Sequence, residues 1–300
     1  MRRLRGLDLE AGSSEGGKSF IAAASGLIHT GHSLCVIADD ALDLAVFPGE
    51  GEAPGRLARL LPGEAPADES ERKSRKPDFE ALTLLPAFEG APDGALLALE
   101  SGSKSSRERG AVIVLSAEGA LDARARVLDV APLYEALRRD ELPELNIEGA
   151  PVSAGRMFLM QRGNGPSAVN ATVELSLEGV LAAMAAQRPL DESLMVEVVH
   201  HDLGDVDGVR LCFSDAAPLD DRRLVYMAAA EGDDGSFAGA VIGIIEADGR
   251  LGRQESLEPP VKVEGVALAP DGAGQLLLVA DGDDPDSPAP LLAASLDDYA

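Results

Sequence analysis

Five short passages of this 300-residue chain repeat one pattern: a small or acidic residue, then Gly or Ala, then an apolar strand. They are Ser25-Gly26-Leu27-Ile28, Glu80-Ala81-Leu82-Thr83, Glu148-Gly149-Ala150-Pro151, Asp207-Gly208-Val209-Arg210 and Glu264-Gly265-Val266-Ala267. Their second residues stand 55, 68, 59 and 57 positions apart. A second apolar run ending in charge follows each, from CVIADD in the first to LLLVADGDD in the last. A recurring period of this size marks one supersecondary unit used repeatedly, each copy burying its faces against its neighbours.

Each unit parses into four short strands, with turn signals such as Pro92-Asp93-Gly94, Asp248-Gly249 and Pro270-Asp271-Gly272 between them. The fold class is therefore all-β, a five-bladed β-propeller occupying residues 1–300 as a single domain; six blades is the alternative, with a degenerate blade near residues 48–76. The last repeat lacks a fourth strand, while the N-terminal MRRLRGLDLE is left over. Residues 2–10 are expected to pair with the strand around Leu291–Ser295 and close the ring, because an open sheet edge invites aggregation. The longest gap between repeats holds PLYEALRRDELP, a short helix before the third blade. SLEGVLAAMAAQRP is a second helical stretch, and the polar segment from Pro62 to Pro77 reads as a mobile loop.

A formal net charge of −26 excludes the phosphate-neutralising surface that nucleic acid requires, and equally an anionic membrane surface. Trp is absent and aromatics make up 3%, so Leu, Val, Ile and Ala must fill the core. Cys35 and Cys212 sit in apolar runs of different repeats and are expected to be buried free thiols. The N-terminus has basic residues but no apolar stretch after them, and no run approaches membrane-spanning length, so a cytoplasmic location is the default expectation. His29, His32, His200 and His201 lack a metal-ligand spacing.

Propeller topology turns these strands into a site map. Loops entering the first strand of each blade and loops between the second and third strands open on one face, around the central channel. Glu80, Glu148, Asp207 and Glu264 are then expected to aim carboxylates at a shared mouth. Crowded like charges need a cation, backbone N–H groups or basic partners. Ca²⁺ or another divalent cation is the expected metal for oxygen donors, and Lys76, Lys262 and Arg162 are the expected basic partners. The loops SGSKSSRERG and QRGNGPSAVN place Lys104, Arg107, Arg109, Arg162 and Asn164 in neighbouring blades, a basic sector suited to phosphate or carboxylate.

KVEGVALAPDG and PDFEALTLLP resemble the blade-opening pattern of the phytase-like esterase and SdiA-regulated group of bacterial β-propellers. LLALESGSKSSRERG is similar to a smaller bacterial propeller family of unknown function. The resemblance implies a propeller fold, a divalent cation and ester or phosphoester substrates; Ser25 and Ala81 depart from the pattern. The function expected first is binding of a small or anionic ligand at the channel face. The alternatives are a cation-dependent ester or phosphoester hydrolase and a protein-interaction platform.

Overall fold

The apolar runs become strands in the order in which the repeats present them. The computed structural model describes residues 1–13, 18–63, 76–117, 120–121, 125–232, 234–270, 274–282 and 284–299. Five antiparallel sheets form a five-bladed β-propeller. Blade 1 consists of Ala24–His29, Ser33–Ala38, Asp43–Pro48 and Arg56–Arg59. Blade 2 consists of Phe79–Leu85, Ala95–Glu100, Arg109–Val114 and Arg126–Asp129. Blade 3 consists of Ile147–Gly149, Arg156–Gln161, Asn170–Ser176 and Met195–His201, with Val152–Ser153 continuing its first strand. Blade 4 consists of Val209–Pro218, Leu224–Glu231, Phe237–Ile245 and Leu251–Ser256, with Asp205–Val206 folded back on its start.

Blade 5 is closed by the chain's beginning. Its strands are Val263–Leu268, Gln275–Ala280 and Pro290–Ser295, and Arg2–Gly6 is the outermost. Arg2 pairs with Ala293 and Gly6 with Pro290. Leu7, fully buried, extends the seam by donating its N–H to Ala289 O at 3.1 Å. Arg5 reaches on to blade 1, where it donates to Gly51 O and Ala53 O at 3.1 Å and stacks over Phe47. The N-terminal strand thus completes one sheet and ties it to the next.

Apolar side chains fill the spaces between sheets. Cys35 and Cys212 are buried and unbridged, and burial pushes the Cys35 thiol up to about 12. The insertion before blade 3 forms helix α1 (Ala131–Asp140), with Pro132 in its first turn and Leu133, Tyr134 and Leu137 buried. Helix α2 (Leu177–Ala185) follows the third strand of blade 3, its N-terminus capped by Ser176, whose hydroxyl accepts from Gly179 N. Of the polar stretch 62–77, residues 64–75 lie outside the described residues, as does the Asp271-Gly272 turn. Among the described residues no helix is long and apolar enough to cross a membrane.

The innermost strands converge so closely that side-chain size is limited. A Cβ on Gly265 would lie 3.0 Å from Gly26 Cα, across the boundary between blades 5 and 1. The corresponding residues are Gly26, Ala81, Gly149 and Gly265, and in blade 4 Asp215. Asp215 spends its carboxylate on this crowded layer. It accepts from Ala216 N at 2.7 Å and from Val266 N of blade 5 at 2.8 Å. Burial holds its carboxyl well above the usual carboxylate range, against the pull of those two N–H groups.

Candidate functional site

Every blade carries a one-residue irregularity at the same place. The ladder between first and second strands skips Ser25, Glu80, Glu148, Ser214 and Glu264. A bulge bends its strand and re-aims the extra side chain. Here it creates a ring of five equivalent positions. The two serines tie blades together. Ser25 Oγ donates to Phe79 O at 2.5 Å, and Ser214 Oγ donates to Val263 O at 2.6 Å. The three glutamates line a cavity at the channel mouth.

Asp207 does not belong to this ring. It is exposed, and with Gly208 it forms the two-residue turn joining Asp205–Val206 to the start of the next strand. Both residues have positive φ, 52° and 82°. Asp-Gly is favoured in such a turn because both positions need left-handed backbone. The dipeptide therefore imitates the repeat, whose actual member in blade 4 is Ser214, seven residues on.

The mouth cavity holds about 780 Å³. Among the described residues its lining carries the carboxylates Asp39, Asp78, Glu80, Glu144, Glu148, Glu231, Glu264 and Asp281. They face the cations Lys76, Arg107, Arg138, Arg162 and Lys262. No aromatic side chain lines it among the described residues. Lys76 Nζ bonds Asp39 and lies 2.9 Å from Asp78 Oδ1. Asp78 also accepts from Arg107 at 2.7 Å and Ser101 at 2.5 Å. Burial draws the Asp78 carboxyl upward, but Lys76 and Ser101 outweigh it and hold the pKa below its ordinary value. Opposite, Arg162 bridges Glu148 at 3.3 Å and Glu231 at 2.8 Å. Lys262 Nζ lies 3.2 Å from Glu264 and 3.4 Å from Glu231. These are the pairings expected of Lys76, Lys262 and Arg162.

Glu80 is different. Among the described residues its carboxyl has no hydrogen bond and no ion pair. One of its oxygens lies within 4.8 Å of oxygens of Asp39 and Asp78. Burial, with Glu148, Asp39 and Asp78 nearby, raises its carboxyl well above the usual carboxylate range. Burial also raises Glu148 despite Arg162, and raises Glu264 to about 7.

The basic sector does not converge. Arg107 and Arg162 reach the cavity, each already on carboxylates. Arg109 turns away and grips buried Glu100 in a fork, 2.6 Å and 3.2 Å. Asn164 lines the cavity, whereas Lys104 is exposed and outside it. Nor do the four expected metal ligands form one cage, since Asp207 is remote and Glu148 and Glu264 hold Arg162 and Lys262. The carboxylates that do cluster, Asp39, Asp78 and Glu80, already carry Lys76 and Arg107, so a metal ion would compete with two resident cations. Sequence reasoning missed Arg138 and Glu144. Both come with the insertion before blade 3, and only the helical pattern of α1 signals that this segment packs near the face. Arg138 donates to Gly102 O and pairs with Glu108, and Glu144 accepts from Ser167 N at 2.8 Å.

A family model matches residues 20–296 of this chain, spanning all five blades and leaving out only the closing strand and the two ends. The chain belongs to the family of unknown function DUF6929. No curated protein matches it in sequence. Among solved structures it is similar to a Bacteroides thetaiotaomicron protein provisionally assigned as a phosphatase. The two share 9% identity and a TM-score of 0.50, covering 98% of this chain and 78% of that one. A Penicillium chrysogenum α-L-arabinanase complexed with arabinobiose aligns at 8% identity and a TM-score of 0.46, covering 100% and 99%. The Pan2 WD40 domain of Neurospora crassa aligns at 8% identity and 0.38, covering 98% and 86%. At such identities the likeness is one of fold.

Proposed function

We propose that this protein binds a small hydrophilic ligand at the channel mouth, and that its carboxylates do the recognising. The observation that carries this reading is Glu80, a cavity-lining carboxyl that no described side chain satisfies. Glu80 is half-buried, and a hydrogen-bond donor in the cavity that reaches its carboxyl contributes about 0.5–1.5 kcal/mol. The wall offers no ring to stack on, so charge and hydrogen bonds must hold the ligand. An anionic ligand is favoured less, because Arg107 and Arg162 already serve carboxylates. The test is a thermal-shift panel of amines, polyols, carboxylates and phosphates on the wild type and Glu80→Gln. Ligands that bind only the folded state raise its stability. Donor-bearing compounds are expected to stabilise the wild type and not the variant; an equal response of both proteins, or no response, contradicts the reading.

A hydrolytic role is the second reading. It is supported by Glu264, whose pKa of about 7 lets a carboxyl deliver a proton near neutrality. Turnover of chromogenic esters or phosphoesters, abolished in Glu264→Gln, would establish it. A complete absence of turnover leaves binding as the function.

A further inference from the structure

The mouth already shows how it treats an ammonium group. Lys76 Nζ sits on carboxylates from two blades, Asp39 of blade 1 and Asp78 at the entrance to blade 2. Lys262 Nζ does the same with Glu231 of blade 4 and Glu264 of blade 5. An ammonium group presents three donors and no acceptor, and suits such a seat.

Charge is left over on both sides. Around Lys76, the three carboxylates Asp39, Asp78 and Glu80 face two cations, Lys76 and Arg107. Around Lys262, the four carboxylates Glu148, Glu231, Glu264 and Asp281 face two cations, Lys262 and Arg162. Among the described residues each group therefore holds more carboxylates than cations, and an arriving ammonium favours the ionised form of Glu80 and Glu264 that burial disfavours. Both groups line one cavity of about 780 Å³, far larger than a single metal ion needs. With no aromatic lining among the described residues, a ring-bearing ligand gains nothing by stacking.

Resting on the reading above that the mouth binds a small ligand, we propose that the ligand is an aliphatic di- or polyamine, with one ammonium on Glu80 and another on the Glu148–Glu231–Glu264 group. One molecule carrying two linked ammonium groups can serve both groups, since they line one cavity. Linking them makes the second contact intramolecular, so a diamine binds more tightly than a monoamine of similar length.

Isothermal titration calorimetry tests this, with 1,4-diaminobutane, spermidine, butylamine and CaCl₂ as probes. The titrations are run in about 150 mM salt, where attraction to the exposed acidic surface is screened beyond roughly 8 Å. The expected result is one site per chain, with diaminobutane or spermidine at least tenfold tighter than butylamine. Glu80→Gln should weaken binding about tenfold or more, Asp39→Asn should weaken it as well, and exposed Glu89→Gln should leave it unchanged. Circular dichroism melts of each variant confirm that it is folded. Multiple weak sites indifferent to Glu80→Gln would mean diffuse attraction to a chain of charge −26 and would overturn the proposal. Binding of Ca²⁺ alone, or of polyols in the thermal panel without amines, would overturn the amine and leave the mouth as the site. Silence from every class would overturn both.

Discussion

A serine at the bulge gives its hydroxyl to the next blade, whereas a glutamate at the same position turns to the cavity. Ser214 is of the first kind, and Ser214→Ala should destabilise the fold by about 1–3 kcal/mol, because Val263 O loses a buried donor. Asp207→Asn should change stability by less than about 0.5 kcal/mol, since the position is exposed and Asn tolerates left-handed backbone. Urea denaturation measures both, and a reversed order would restore Asp207 to the ring. Glu264 sets a pH dependence. Its folded pKa of about 7 stands above the ordinary 4.5, so its protonated form favours the folded state. That contribution is complete below pH 4.5 and is lost as pH rises to about 7. Between pH 5 and 8 the melting temperature of Glu264→Gln should therefore fall less steeply than that of the wild type. An identical slope in the two proteins would contradict the assignment.

At the scale of the element, the order of strands was legible because each repeat carries the same alternation of apolar run and turn. Even the missing fourth strand of blade 5 could be inferred from the unused N-terminus; of the expected residues 2–10, Arg2–Gly6 pair there, while Asp8 and Leu9 bridge to Phe20 and Gly55. What misled was local chemistry with a second meaning. Asp207-Gly208 makes a hairpin turn, and it shares the acidic-then-Gly pattern of the blade entrances at Glu148-Gly149 and Glu264-Gly265. Register decides between them, and register depends on long-range pairing. Arg109 fails for a similar reason: it sits beside Arg107 in the loop, yet the strand it begins turns its fork onto Glu100. The closing strand offers its own test. Leu7 is fully buried at the seam, so Leu7→Ala should cost about 2–5 kcal/mol. Removing residues 1–10 should cost more, by exposing the edge of blade 5 as well. A truncated chain that melts with the wild type would contradict closure.

For the whole molecule, topology rather than any motif placed the site. Asp39, Asp78, Glu80, Glu148, Glu231, Glu264 and Asp281 come from all five blades, and only closing the ring makes them neighbours. The period in the sequence was enough to anticipate most of this lining. It could not anticipate Arg138 and Glu144, which belong to an insertion in one repeat. Nor could it say which cations would be consumed by pairing, since that depends on distances of a few ångströms. The central claim is that this mouth, and no other surface, is where the protein meets its ligand. Backbone amide chemical-shift mapping during a spermidine titration tests it most directly. The account predicts that the largest perturbations fall on Asp39, Asp78, Glu80, Glu148 and Glu264. Perturbations centred instead on the opposite face, at Thr30, Leu84 and Val152, or spread evenly over the acidic surface, would contradict it.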